Sequence, residues 1–293
     1  MIRDTKRKGI IFMIYILYNP KSGDSHSKDK AGILAVAKKE PSIIRDITLI
    51  DDYHKFASEI AENDTVILCG GDGTLNRFVN NMEGIDINFK LFYYPTGSGN
   101  DFAHDLNHND GDEPFQINHY IKNLPTVEIN GKRYRFLNNV SFGIDAYCCE
   151  RGEEHKLRTS KPTNYTLTAI KAFLFEFMPR NATVTVDGVT KKYSKVWLAP
   201  AMKGRYFGGG MKAAPSQDRL NPDNKLSFLA LHGVSTLKAL TILPKVFTGD
   251  HVKHTEAIDI LCGHEITVTF DIPTSIAIDG EPLDHATTFT ARS

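Results

Sequence analysis

An open α/β half built on a mostly parallel sheet, followed by a mainly β, sandwich-like half, is the fold class this sequence predicts. Strand and helix signals alternate through residues 1–125, as they do in βαβ units. From Thr126 the texture shifts to short strands separated by turn residues, so the second unit spans 126–293. Three loops rich in glycine, serine and asparagine each follow a strand signal of the first half. Loops at the carboxyl ends of neighbouring parallel strands line one edge of a sheet, which is where ligands bind in such folds.

The elements follow in order. Residues 10–18 form an apolar run read as the first buried strand, with a turn at 19–25 and a helical pattern over 30–39. Strand 43–50 and helix 54–62 come next, then the β-branched strand Thr65 to Cys69. Apolar residues at 75, 78, 79 and 82 have the i, i+3, i+4, i+7 spacing of a helix. Strand 90–94 runs into the third loop, and His104 to Pro114 reads as an exposed loop. In the second half, strands are expected at 126–130, 133–139, 182–187, 192–199, 225–231, 265–271 and 274–279. Asn130-Gly131 and Asp187-Gly188 are hairpin turns. Tyr165 to Phe177 and Ser235 to Thr248 are helices, the latter broken at Pro244. The chain end is a segment that can return to the first domain.

With 293 residues, 41% hydrophobic and 24% charged, the composition is that of a soluble globular protein. Lys plus Arg equals Asp plus Glu, 35 each, so no global field favours nucleic acid, and none is expected as a partner. The four cysteines lack metal-site or disulfide spacing and read as reduced core residues. Basic residues precede the apolar run at 10–18, yet no small-residue cleavage site follows, and the run is too short to span a bilayer.

The loop Gly70-Gly71-Asp72-Gly73-Thr74-Leu75-Asn76 sits at a strand-to-helix junction. Glycines there let backbone N–H groups approach an anion, and the helix N-terminus adds a favourable dipole. Asp72 repels a phosphate unless a metal or a reacting hydroxyl lies between them. Asn19-Pro20-Lys21-Ser22-Gly23 offers a hydroxyl, a glycine backbone and a lysine; Gly97-Ser98-Gly99-Asn100-Asp101 adds a carboxylate. Neither GxxxxGK[ST] nor GxGxxG occurs in these loops, so a different kind of phosphate loop is required.

These three strings, GGDGTLN at 70–76, NPKSG at 19–23 and PTGSGNDFA at 95–103, resemble the nucleotide-binding motifs of the diacylglycerol kinase catalytic-domain family, which includes bacterial lipid kinases and sphingosine kinases. The stretch Asn139 to Asp145, the run Gly208-Gly209-Gly210-Met211 and the Asp279-Gly280-Glu281 triplet follow in the family's order, so the resemblance spans about residues 10 to 285. It implies ATP as phosphate donor, contacted by Asn19, Pro20, Lys21, Ser22, Gly23 and by Gly70 to Asn76. Ser98 stands where the family usually has threonine, and Asn100 and Asp101 complete the third loop. The resemblance further implies Glu281 as the base for the acceptor hydroxyl, with Asp279 and Asp72 near Mg²⁺ and the γ-phosphate. The acceptor it implies is a membrane lipid, first of all diacylglycerol going to phosphatidic acid. That places the protein in the cytoplasm, peripheral at the inner face of the membrane; a homodimer is a candidate assembly.

The chain departs from the family at two places. Arg77 replaces the glutamate that commonly follows GGDGTLN. In the second-domain metal loop Asn224 replaces glycine and Ser227 the final acid, leaving Asp223 and the carbonyls of Leu220 and Lys225 as the implied Mg²⁺ ligands. Two other readings stay open: an NAD kinase-like phosphotransferase, which shares a GGDGT loop, and a weakly active nucleotide- or lipid-binding regulator. His251 and His254 lack a third metal ligand, and His108 to Glu113 lacks EF-hand spacing. For the lipid, Ala172 to Met178 and Leu237 to Phe247, with Lys238 and Lys245, are the candidate apolar faces.

Overall fold

The computed structural model describes residues 12–22, 27–38, 40–109, 111–159 and 176–293. In the first half β1 (Ile14–Tyr18), α1 (Ser27–Ala37), β2 (Ser42–Asp46), α2 (Tyr53–Ser58), β3 (Thr65–Gly70), α3 (Asp72–Asn81), β4 (Lys90–Pro95), α4 (Asp101–Asp105), β5 (Phe115–Gln116) and α5 (Asn118–Ile121) follow one another. Their sheet has the order β2-β1-β3-β4-β5, parallel except for the edge strand β5. Side chains of β1 and β3 are buried on both faces, and those of β4 on one, with Phe92 and Tyr94 half-buried on the other. Tyr15, Leu17, Val66, Leu68, Leu91 and Tyr93 pack with α3 on one side. Ile14, Ile16, Ile67 and Cys69 pack with Ala31 and Leu34 of α1 on the other. Burial on both faces explains why these strands read as unbroken apolar runs.

Register then sets the site. Tyr18 lies opposite both Asp46 and Cys69, and Cys69 lies opposite Tyr94. The carboxyl ends of four strands therefore finish level, and the loops after β1, β3 and β4 leave the sheet side by side.

The second half contains β6 (Thr126–Ile129), β7 (Lys132–Arg135), β8 (Asn139–Gly143), α6 (Ile144–Thr159), β9 (Arg180–Val186), β10 (Val189–Val196), β11 (Leu198–Met202), β12 (Leu226–Leu231), α7 (Thr236–Ile242), β13 (Ile258–Gly263), β14 (Glu265–Ile278) and β15 (Glu281–Arg292). Ten antiparallel strands form one connected sheet that folds over a shared core. The fold-over runs through β14, which pairs β9 along 266–270 and β8 along 276–278. Its pairing with β15 shifts register between Thr269 and Ile276, around Pro273, so the two strands expected at 265–271 and 274–279 are one bent strand. Both hairpin turns have the expected left-handed pairs, Asn130-Gly131 and Asp187-Gly188.

Other departures from the sequence reading have local causes. The exposed loop expected from His104 begins inside α4, and Asp105 is buried because two arginines of the second domain neutralise it. Helix α3 begins at Asp72, not Leu75, so the glycine loop is the helix's own first turn. β15 was not anticipated, since its buried residues Ala286, Phe289 and Ala291 break strict alternation. The helical pattern at 235–248 is α7 followed by a 3₁₀ turn through Pro244. The helix expected over 165–177 lies outside the described residues except at its end. No helix among the described residues is long and apolar enough to cross a membrane.

Phe142 is fully buried between Phe270 and Phe289, its ring 4.9 Å and 5.2 Å from theirs. Phe142→Ala is expected to lower unfolding free energy by roughly 3–5 kcal/mol, read as a lower urea midpoint at unchanged slope.

Candidate active site

The first and second loops are tied together. Asn19 Nδ2 donates to Thr74 Oγ1 at 2.9 Å, and the Gly71 N–H donates to Ser22 Oγ at 3.0 Å. Asn19 Oδ1 also accepts from the Lys21 N–H at 3.0 Å, shaping the turn that leaves Lys21 exposed. The third loop joins through backbone contact: a Cβ on Gly71 would stand 3.1 Å from Gly97 Cα, so glycine at both positions lets the loops touch. The Asn100 carboxamide closes the third loop on Gly97, donating to its carbonyl at 2.8 Å and accepting from its N–H at 3.1 Å. Asn19, Pro20, Lys21, Ser22, Gly70 to Thr74, Ser98, Asn100 and Asp101 are thus brought to one edge. Gly23 lies outside the described residues. Leu75 packs in the core, and Asn76 points toward the second domain.

Asp72 accepts the N–H groups of Asp101 and Phe102, both at 2.9 Å, and the Asn138 carboxamide at 3.1 Å. It caps α4 and leaves one of its roughly four lone-pair directions for a cation. Asp101 accepts from Gly209 and Gly210 N–H at 2.8 and 2.7 Å. Gly208, Gly209 and Gly210 all have positive φ, which only glycine sustains over three consecutive residues. Burial, then the neighbouring Asp72 charge, push the Asp101 carboxyl up to about 7 from 3.8.

Asp279 is saturated. Its Oδ2 accepts from Leu137 N–H and Asn76 Nδ2, each at 2.7 Å; its Oδ1 accepts from Asn138 and Asn139 N–H at 2.7 and 3.0 Å. Burial still pushes it up to about 6, against those donors. Glu281 differs. Its carboxylate lies over the first turn of α3, in the space a Cβ on Gly73 would take, and its Oε2 is 3.1 Å from an Arg77 guanidinium nitrogen. At 46% side-chain exposure it is open to a reactant.

Sequence reasoning missed the seam beneath these acids. Asp105 Oδ1 and Oδ2 accept from Arg205 Nε at 2.8 Å and Arg219 Nε at 2.9 Å. Arg219 also reaches the Leu137 carbonyl, donates to Asn138 Oδ1 at 2.7 Å, and lies 4.6 Å from the Phe102 ring. A lone arginine in Asp218-Arg219-Leu220 carries no sequence signal for this.

Among the histidines, His251 is buried against the Ala213 carbonyl at 3.0 Å, and His254 contacts Lys245 and Glu256. Burial pushes the Cys69 and Cys148 thiols up to about 12, so both are inert packing residues.

Two family models match the chain: the diacylglycerol kinase catalytic domain over residues 13–127, and the YegS C-terminal NAD kinase beta sandwich-like domain over residues 138–291. A Bacillus subtilis protein named "Putative lipid kinase YtlR" is 26% identical over 204 residues, covering 64% of each chain. The present chain thus spans less than two thirds of that relative's length. A Mycobacterium tuberculosis protein named "Diacylglycerol kinase" is 24% identical over 260 residues, 84% of this chain and 82% of its own. The crystal structure of a Bacillus anthracis str. Sterne protein described as a "putative diacylglycerol kinase" superposes with a TM-score of 0.66 at 18% identity, covering 100% of this chain and 95% of that one.

Asp105→Asn leaves Arg219 buried without its counter-charge and is expected to cost roughly 3–5 kcal/mol in urea unfolding. An acid whose folded value lies above its unfolded one binds more protons when folded, so stability falls as pH rises through that interval. For Asp101 the interval runs from 3.8 to about 7. Asp101→Asn is expected to flatten the fall in urea midpoint between pH 4 and pH 7 relative to the wild-type chain.

Proposed function

The chain belongs to the diacylglycerol kinase catalytic-domain family, whose members are kinases, and from that premise we propose that it transfers the γ-phosphate of ATP to the hydroxyl of a membrane lipid, diacylglycerol being the first candidate. One observation carries the mechanism: of the acids gathered at the edge, only Glu281 is both exposed and unsaturated, and it stands over the N-terminus of α3. Glu281 is therefore the residue proposed to take the proton from the lipid hydroxyl. Asp279, whose lone pairs are all engaged, is a positioning residue that anchors the turn preceding Glu281 to Leu137, Asn138 and Asn139.

The donor's phosphates are proposed to meet Ser22, the first-turn N–H groups of α3 and the Gly97 loop, with Lys21 and Asn19 at the entrance. Phosphoryl transfer depends chiefly on positioning and charge neutralisation, and Mg²⁺ entering with ATP would supply the latter. The chain's own donors fit such an ion. Asp72 keeps one lone pair and Asp101 two, and their mutual repulsion, which adds to burial in raising the Asp101 carboxyl, is what a divalent cation relieves. Arg77, held beside Glu281, brings a positive charge to the same edge.

Acceptor lipid requires contact with a bilayer. The exposed Leu237 and Phe247 on and after α7, with Met178, support a peripheral membrane face on the second domain. The NAD kinase-like description of the matched second-domain model motivates one competing acceptor, NAD itself.

With γ-labelled ATP and mixed lipid vesicles, label is expected in an extracted lipid; label on NAD instead would establish the competing acceptor. Glu281→Gln is expected to lower kcat by about 10²–10⁴-fold with KM for ATP little changed. Full turnover in that variant would remove Glu281 from the mechanism.

A further inference from the structure

In the loop that the family resemblance assigns to a structural Mg²⁺, the central carbonyl is already engaged by the chain's own donors. The Lys225 carbonyl accepts from both Gln217 Nε2 and Asn221 Nδ2, each at 3.0 Å, which uses its two lone pairs. Asn221 bridges further, donating to the Asp218 carbonyl at 2.7 Å and accepting from the Lys225 N–H at 2.8 Å. Asp223 is 71% exposed and pairs with the Lys225 ammonium at 3.4 Å. Of the implied ligand set, the Leu220 carbonyl and the exposed, weakly paired Asp223 carboxylate are left, too few for Mg²⁺, which demands near-octahedral oxygen coordination.

A cation stands beside this loop in another form. The Lys203 side chain is buried, 3% exposed, and its ammonium donates to Asn224 Oδ1 at 2.5 Å. Asn224 is the residue that replaces the family's glycine, and it keeps the left-handed turn with a φ of 54°. The second replacement fits the same scheme. Ser227 Oγ donates to Gln217 Oε1 at 2.5 Å, which turns the Gln217 amide nitrogen toward the carbonyls of Lys225 and Lys203, the latter at 3.3 Å. A carboxylate at 227 would repel that Oε1. The Lys203 ammonium at Asn224 and the Lys225 ammonium at Asp223 are the cations held at this turn, so an added divalent ion would meet positive charge there.

We propose that the Lys203 ammonium, with the carboxamides of Gln217 and Asn221, closes the 217–227 loop in the role the resemblance gives to Mg²⁺, so that this loop binds no divalent ion. The two departures from the family pattern, at 224 and 227, then form one coupled exchange with Lys203. This inference is independent of the kinase reading, because its readout is unfolding.

The test is thermal unfolding of the nucleotide-free full chain in EDTA and in Mg²⁺. An ion bound about fifty-fold more tightly than its added concentration would raise the midpoint by several degrees. The expected shift for the wild-type chain is under about 1 °C. A rise of several degrees that Asp223→Asn abolishes overturns the proposal; one that Asp223→Asn leaves intact locates the ion elsewhere and supports it. Lys203→Met is expected to lower the midpoint by several degrees in either buffer, and an unchanged midpoint would remove the ammonium from the role. Should that variant fail to fold, a Mn²⁺ titration of the wild type against Asp223→Asn, followed by water-proton relaxation, decides: no bound fraction lost in the variant is expected, and a stoichiometric one overturns the inference.

Discussion

The ion pair between Asp105 and Arg219 is the contact on which the relative placement of the two domains depends. Both side chains are almost fully buried, one from the α/β half and one from the β half. Arg219 hands the connection on to Asn138 and Leu137, and Asn138 hands it to Asp72 and Asp279. Asp72, Asp101 and Asp279, three of the acids the sequence singles out, either belong to this seam or cap it. Buried ion pairs contribute little net stability compared with apolar packing, but breaking one is costly. Their effect here is geometric: one arrangement of the domains satisfies all the donors, and others leave charges stranded.

That geometry separates two kinds of carboxylate. Asp105 and Asp279 are buried and spent on arginines or N–H donors, and Asp101 is buried against the Gly209 and Gly210 N–H groups, while Glu281 reaches the open edge from the first residue of β15. Asp279 takes a left-handed backbone with φ 48°, and Gly280 follows with φ 83°. This turn, pinned by four hydrogen bonds, aims the next side chain at α3. The two acids of the Asp-Gly-Glu triplet are two residues apart, yet burial assigns them opposite work.

The parallel sheet and its three loops were legible because their signals are local. A buried β-branched run, a glycine junction and an i, i+4 apolar stripe need no information from elsewhere in the chain. Membership of the loops in one site was legible too, since parallel strands of equal depth deliver their carboxyl ends to one edge. Asp105 and Arg219 were not, because a buried charge looks like an exposed one in sequence, and their partners are 114 positions apart. β15 and α6 escaped for a related reason: β15 buries small and aromatic residues without clean alternation, and α6 is crowded with charge. Asp72 was legible as a candidate site residue but not as a helix cap, because α4 begins 29 positions further on, beyond α3 and β4.

The seam also constrains how the proposed chemistry could work. A phosphoryl transfer that relied on domain closure would need an interface able to open, with few buried polar contacts. Here the second domain's glycine loop sits on Asp101, its Asn138 on Asp72, and its Arg205 and Arg219 on Asp105. Opening would expose several paired charges at once and strand the remainder in a low-dielectric interior. The edge is therefore built in advance, with Glu281 held by Arg77 above the helix N-terminus before any reactant arrives. Preorganisation of this kind lowers a barrier without reorganisation at the moment of reaction. What remains adjustable is at the surface: the exposed pair of Arg77 and Glu281, where a guanidinium stands in place of the family's common acid. Exposed pairs of this type are weak, worth about 0–1 kcal/mol. An arriving phosphate can thus compete for Arg77, so the departure from the family pattern lies beside the carboxylate proposed to act as the base.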